Sequence, residues 1–405
     1  MGVGDLSRTN TLRILTSLYE GGAASRAEIG RELGLAPATV SRLAGRLQED
    51  GLLVDTGMLV PTGGRPSMVF DFNASAASLL VADVADHHTT IRLTDLRGKP
   101  IRERIHLTTG GAEQRRADLQ SQLAQAVADA QGTNLSAVGV SVPGPVDDEG
   151  NILFAPALGW RHVPLKSELE EAFDLPVAVE NDANLIALAE YTSRHWDPVR
   201  SLVAVAFFDG VGSGIVEDGR LWRGTSGAAG QIGRMLMGRS SLSRSYTGFG
   251  DLESAVGAAS LVRRAREAGI PGKSCTDADA LMRSAALGDE RALKLVEEVL
   301  DDVATTLVNV CALLAPELIL FAGLFERWKD LLLPALRRRL AEHVVDMPHL
   351  EVVHLGQEAA LVGAAVLAFD AAGALDGLVD AMGSEAGVTA WRSAPGEPRK
   401  THVRD

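Results

Sequence analysis

The chain of 405 residues is 46% hydrophobic and 23% charged, which provides for a substantial core and excludes intrinsic disorder, collagen and disulfide-stapled mini-proteins. Only two cysteines are present, Cys275 and Cys311; they exclude a disulfide framework and a Cys-rich zinc site and suit a reducing cytoplasm. The net charge of −14 is uneven: residues 1–70 hold seven Arg, no Lys and seven Asp plus Glu, so a neutral, Arg-only head precedes an acidic body, which is compatible with DNA binding confined to the head.

The head reads as three helices and a wing. TLRILTSLYE (11–20) places Leu12, Leu15, Leu18 and Tyr19 on one stripe, and Gly21–Gly22 stops it. SRAEIGRELG (25–34) opens with Ser25 and carries Glu28 three residues on, a capping box, and Gly34 ends it. APATVSRLAGRLQEDG (36–51) is a third helix, with Val40, Leu43 and Leu47 inward. Thr39, Ser41, Arg42 and Arg46 then lie outward as base or phosphate readers, the arrangement of a helix-turn-helix whose later helix enters the major groove. Strands LLVD (52–55) and SMVFDF (67–72) flank a tip that reads as a β-wing. Within the tip, Arg65 stands on a Gly/Pro scaffold, either as an exposed turn residue or reaching into an A·T-rich minor groove.

The body repeats a pattern. Strands 79–85 and 89–95, helix 113–131 and strand 137–142 are followed by strands 202–208 and 214–218, helix 289–314 and strand 318–322. Such a repeat predicts two α/β lobes facing a cleft. The apolar stretch 307–325 is interrupted by Asn309, Pro316 and Glu317, so it predicts a core helix and strand and no membrane span. GIPGKS (269–274) lacks the first glycine of a P-loop and follows a helix, so it fails as a phosphate-binding loop. The tail 383–405 has no apolar periodicity and is expected to be disordered.

Residues 11–72, VGVSVPGPVDDEGNILFAPALGW (138–160), PVAVENDANLIALAE (176–190), DGVGSGIVEDGRLWRG (209–224), GAAGQIGRM (227–235) and APELILFAG (315–323) together resemble the ROK family of sugar kinases and transcriptional repressors. The resemblance implies an actin-like (ribonuclease H-like) body of two α/β lobes around a cleft, behind an N-terminal winged helix-turn-helix. It divides the chain into a DNA-binding domain at 1–73, a first lobe at 74–185 plus 355–372, and a second lobe at 186–354. Kinases of the family lack the winged helix.

Matched to the family's phosphate loops, the chain departs from a kinase. Where the first loop needs a glycine pair and a Thr, this sequence has Ala85, Asp86 and His87, and Asp209 stands at the Thr of the second. Two carboxylates would face a tetra-anionic nucleotide, and like charges about 4 Å apart repel by about 4 kcal/mol at an effective dielectric near 20. Asp182 matches the family's catalytic base, or caps its helix. With Gly144 of the PGPVD block, Asn181, Asp182, Gln231, Arg234 and Glu253 make the expected ligand set. Glu253 is alternatively a solvated residue at a helix start. Arg234, at the family's sugar-reading His, either plugs the cleft by pairing with Glu253 or Asp182, or reads an acidic or phosphorylated ligand. That His also holds a structural zinc in the family together with three Cys. Here 244–251 has no Cys, so no zinc is expected, and the loop at 238–250 should be less restrained than in zinc-bearing relatives.

The sequence therefore predicts a cytoplasmic, non-enzymatic DNA-binding regulator, expected to repress, that needs no cofactor. Its partners would be double-stranded operator DNA, a sugar-like effector and further copies of itself in a homodimer or homotetramer. An active sugar kinase with an added head, and a regulator answering to a protein partner alone, are the competing readings.

Overall fold

The computed structural model describes residues 3–60, 66–130, 132–193, 195–270 and 278–383. Arg65 and the wing tip, most of GIPGKS, Cys275 and the tail from 384 onward lie outside these residues.

The head folds as its periodicity dictates. Helices α1 (Val3–Gly21), α2 (Arg26–Leu33) and α3 (Pro37–Glu49) bury Ile14, Leu15, Leu18, Ile29, Val40, Leu43 and Leu47. The Ser25–Glu28 capping box forms in both directions, and Gly34 closes α2 in the left-handed conformation. A three-stranded sheet follows, in which β1 (Ala24–Ser25) and β2 (Leu53–Val60) flank β3 (Ser67–Phe72). Strand β2 runs to Val60 instead of stopping at Asp55, because a register shift between Asp55 and Leu59 lets it continue toward the wing tip.

The body holds two five-stranded sheets of one topology. The first is built from β4 (Ser78–Val84), β5 (His88–Asp95), β6 (Pro100–Leu107) and β7 (Leu135–Val142). After a small hairpin, β8 (Ile152–Ala155) and β9 (Trp160–Val163), it is completed by β10 (Val177–Asn181), in the order β10-β7-β4-β5-β6. The second uses β11 (Ser201–Phe207), β12 (Val211–Glu217), β13 (Arg220–Leu221), β14 (Leu318–Gly323) and β15 (His349–Val352). Its order, β15-β14-β11-β12-β13, repeats the first, with two parallel and two antiparallel pairings in each. Helix Asp182–Thr192 packs on β11 and β12, and helix Ala359–Ala371 packs on β4, β7 and β10, so this helix pair forms the layer joining the sheets. From Ala183 to Glu190 every residue is buried, which is why the helix lacks an amphipathic pattern.

Head and first sheet share one hydrophobic core. Ile14, Leu18, Leu47, Leu52 and Phe72 cluster with Leu79, Leu361, Phe369, Leu375 and Leu378. At the seam, the Tyr19 ring lies 5.3 Å from both Phe72 and Phe369, and burial pushes its hydroxyl pKa up to about 12. Arg97 donates to both oxygens of Asp71, at 2.9 and 3.1 Å, and to the Leu18 carbonyl at 2.8 Å. Helix Ala374–Gly383 packs against α1, where Arg8 pairs with Asp376 and Asp380 at 2.9 Å each. Among the described residues no single helix is long and apolar enough to cross a membrane.

Candidate ligand cleft and nucleic-acid interface

On α3, Pro37 occupies the first turn, where its missing N–H costs nothing. Ser41, Arg42 and Arg46 are exposed and Thr39 is half-buried, so the expected reading face is available to a groove. Arg46 lies 3.6 Å from Asp50 one turn on, a contact weak enough for phosphate to displace.

At one end of the cleft the β4–β5 turn meets the β11–β12 turn. Asp86, His87 and Asp209 bring their ligand atoms within 4.8 Å of one another; the loop matches set Asp86 against Asp209, and His87 joins them. Arg115 holds Asp86 at 2.8 Å. Behind them lie Asp83 and Asp182. Burial raises both carboxyl pKa values, and the neighbouring Asp83 helps push Asp182 up to about 7. The helix cap proves to be Asn181 rather than Asp182: its side chain accepts from Asn184 N at 3.2 Å. The Asn181 amide also donates to Gly144 O at 3.1 Å and to Asp182 Oδ1 at 3.0 Å. Three of its four hydrogen-bonding positions are thereby used in shaping the site. Gly144, at φ 114°, is required here, since a Cβ would lie 2.2 Å from the Phe154 carbonyl oxygen.

Gln231, Arg234 and Glu253 belong to the second lobe, where Glu253 abuts the β11–β12 turn that carries Asp209. Glu253 is tied to its own lobe, accepting from Val211 N at 3.1 Å and Gly250 N at 2.6 Å. Gln231 immediately precedes the short 3-10 helix Ile232–Arg234 and is half-buried. Arg234 pairs with neither Glu253 nor Asp182, contrary to the plug expectation. It is exposed, donates to Gly248 O and Tyr246 O at 3.3 Å, and lies 5.9 Å from the Phe154 ring. Two backbone carbonyls of the loop between residues 234 and 251 take its fork in place of either carboxylate.

Without cysteines, the loop at 238–250 is tied by side chains. Asp251, 6% exposed, accepts from Met237 N at 2.8 Å and from the Tyr246 hydroxyl, and lies 3.7 Å from Arg244. Burial alone would raise its pKa, but these donors, with Ser241, hold it below the usual carboxylate range. Arg234, Arg244, Tyr246 and Asp251 stand at the four positions where the resemblance implies zinc ligands. Two of them are cations, so this set does not fit zinc, and Asp251 ties the loop instead.

One contact that sequence reasoning missed crosses between the lobes. Arg223, beyond β13, reaches Glu180 at 2.8 Å and Asp148 at 3.4 Å. Glu180 is 1% exposed; burial pushes its pKa up while Arg223 pulls it down. Its other oxygen accepts from Asn181 N and the Asn184 amide at 2.7 and 3.0 Å, so the pin anchors the ligand-facing turn. The only sequence signal was an Arg shortly after a short strand, which is too common to single out.

Residues 81–371 match the ROK family, most of the chain, and residues 5–57 match the MarR family of winged helices. The protein belongs to the ROK family. It is 28% identical over 348 residues to a putative xylose repressor of Caldicellulosiruptor sp. strain Rt8B.4, across 82% of this chain and 87% of that one. A solved ROK family transcriptional regulator, a homologue of the E. coli MLC protein, superposes with TM-score 0.76 at 23% identity, across 95% and 99% of the two chains. A ROK glucokinase from Streptomyces griseus, solved with glucose and AMPPNP, gives 0.62 at 26% identity, across 73% and 100%. The winged-helix head and the two-sheet, kinase-like body follow both the sequence expectation and these neighbours.

Proposed function

We propose that this protein is a DNA-binding transcriptional repressor whose kinase-like body senses a sugar or sugar derivative without catalysis. The observation that carries the reading is the meeting of Asp86, His87 and Asp209 where a kinase would cradle phosphates, in a chain that also bears a winged helix. Within 4.8 Å, two carboxylates repel by about 3 kcal/mol or more at an effective dielectric near 20, before any nucleotide charge is added. A carboxyl titrating near 7, as Asp182 does, would suit a general base, but here it has no phosphoryl donor to serve.

In this reading Thr39, Ser41, Arg42, Arg46 and Arg65 contact a two-fold symmetric operator, and a homodimer or homotetramer supplies paired heads. The protein works in the cytoplasm. The domains divide at 73/74, with 74–185 plus 355–372 and 186–354 as lobes. Gly144 and Asn181 shape the ligand turn, while Asp182, Gln231, Arg234 and Glu253 line the ligand's side of it. A ligand touching both lobes favours one lobe spacing, and because the head shares a core with the first lobe, that spacing reaches the DNA. A tenfold change in operator affinity requires only about 1.4 kcal/mol of discrimination between states.

The test is Asp182→Ala in an operator-binding titration with and without sugars. Intact DNA binding with no response to sugar is expected. Loss of DNA binding with normal folding would make the cleft structural, and an unchanged response would place the effector elsewhere. ATP consumption with any hexose that vanishes in Asp182→Asn would establish the kinase instead.

A further inference from the structure

We propose that Arg161 and Arg234, set around the Phe154 ring, form a subsite for a negatively charged group, phosphate or carboxylate, on the sugar effector. The inference rests on the sugar-sensing reading and adds the ligand's charge and its orientation to it.

Phe154 and Arg161 are direct partners across the β8–β9 hairpin, and the Arg161 guanidinium lies 4.3 Å from the ring centroid. Arg234 approaches the same ring to 5.9 Å from the 3-10 helix beyond the second sheet's hairpin. Phe154 is in turn one step from the ligand turn: its carbonyl abuts Gly144, whose own carbonyl accepts from Asn181.

Among the described residues neither arginine has a carboxylate within ion-pair distance, although the chain carries a net charge of −14 and nearby Arg223 and Arg244 each have one. Arg234 makes only two long bonds to neutral carbonyls, at 3.3 Å, which fix the direction of its fork without neutralising it. Two cations without a counter-ion thus lie over one aromatic ring, which attracts each of them but leaves each charge unpaired. The planar forks match phosphate and carboxylate oxygens, so an anion on the effector would supply the missing counter-charge.

The acidic groups of the site orient the ligand. Asp83, Asp86, Asp182 and Asp209 repel an anion, so hydroxyls face Asp182 and the anionic group faces the arginines. Arg161 lies between β7 and β10 of the first sheet and Arg234 between β13 and β14 of the second, so the anion itself would link the two lobes.

The experiment is calorimetric titration of the full chain with free glucose, mannose, fructose and N-acetylglucosamine, with the 6-phosphate of each, and with glucuronate. At least one anionic sugar should bind about tenfold more tightly than its neutral parent, a preference that shrinks as salt is added. Inorganic phosphate should compete with it. In Arg161→Gln and Arg234→Gln the preference should fall to near unity, and Arg234→Lys should keep part of it; both side chains are exposed, and unchanged melting confirms folding. Equal affinity for neutral and anionic partners in the parent protein would overturn the subsite and leave sugar sensing standing. Failure of every sugar to bind would overturn both readings. Loss of operator affinity in the Gln variants without any sugar would make the arginines DNA contacts and overturn the subsite.

Discussion

The two ends of the cleft hold the lobes in opposite ways. At the former phosphate end, Asp86 of one lobe faces Asp209 of the other, like charge against like, with Arg115 beside Asp86. Toward the sugar end, Arg223 of the second lobe crosses to Glu180 and Asp148 of the first, opposite charge against opposite. One end pushes the lobes apart and the other pins them. A kinase must close on its nucleotide; a cleft pinned at one end and repelled at the other is suited to report what sits between its lobes.

The comparison can be broken first at the pin. Arg223→Ala leaves a carboxyl that is 1% exposed without its cation, and should cost about 3 kcal/mol in chemical denaturation. Full stability in that variant would show that the lobes are held elsewhere. Next comes the loop that carries Arg234. Asp251→Ala strands the Met237 amide and the Tyr246 hydroxyl and should cost about 2 kcal/mol, with new proteolytic cleavage between 238 and 250, whereas a chelator should leave melting unchanged.

The third prediction is a pH slope. The Asp182 carboxyl titrates near 7 in the folded protein and lower in the unfolded chain, so folding favours its protonated form. Its contribution is fully present below about pH 4 and is lost as pH rises through 7. Asp182→Asn should remove that slope and melt above the parent at pH 8, as thermal unfolding across pH would show. The smallest effect belongs to the repelling end. Asp209→Asn should raise the melting temperature by roughly 2 °C without restoring nucleotide binding, because Ala85 and Asp86 still occupy the glycine positions. ATP binding in that variant would mean that charge alone had closed the site.

Much of this architecture was legible because local rules and tertiary structure agree. The helical stripe at Leu15 and Leu18, the Ser25–Glu28 box and the duplicated strand pattern are all short-range signals. Strand β6 escaped notice because nearly all of it is exposed, on both faces, leaving no alternation to detect. Helix Ala374–Gly383 falls between the lobe boundary at 372 and the tail at 383, and its role shows only in its contact with α1. In the site, the convergence of Asp86 with Asp209 followed from matching two loops to a family pattern, whereas the partner of Arg234 depended on how residues 244–251 fold. Arg161 and Arg223 carry no pattern of their own; they gain meaning only from Phe154 and Glu180, which the fold brings to them.

The shared core between head and first lobe also bears on how such a chain can be taken apart. Leu361, Phe369, Leu375 and Leu378 are covered in part by the residues of α1 and β3. Cutting the chain after residue 73 would not release a kinase-like body with a finished surface. It would bare a greasy scar, and such patches drive proteins to clump. The head is thus a lid on the body's own interior as well as a reader of DNA, and a mutation that loosens α1 would be felt first as poor solubility.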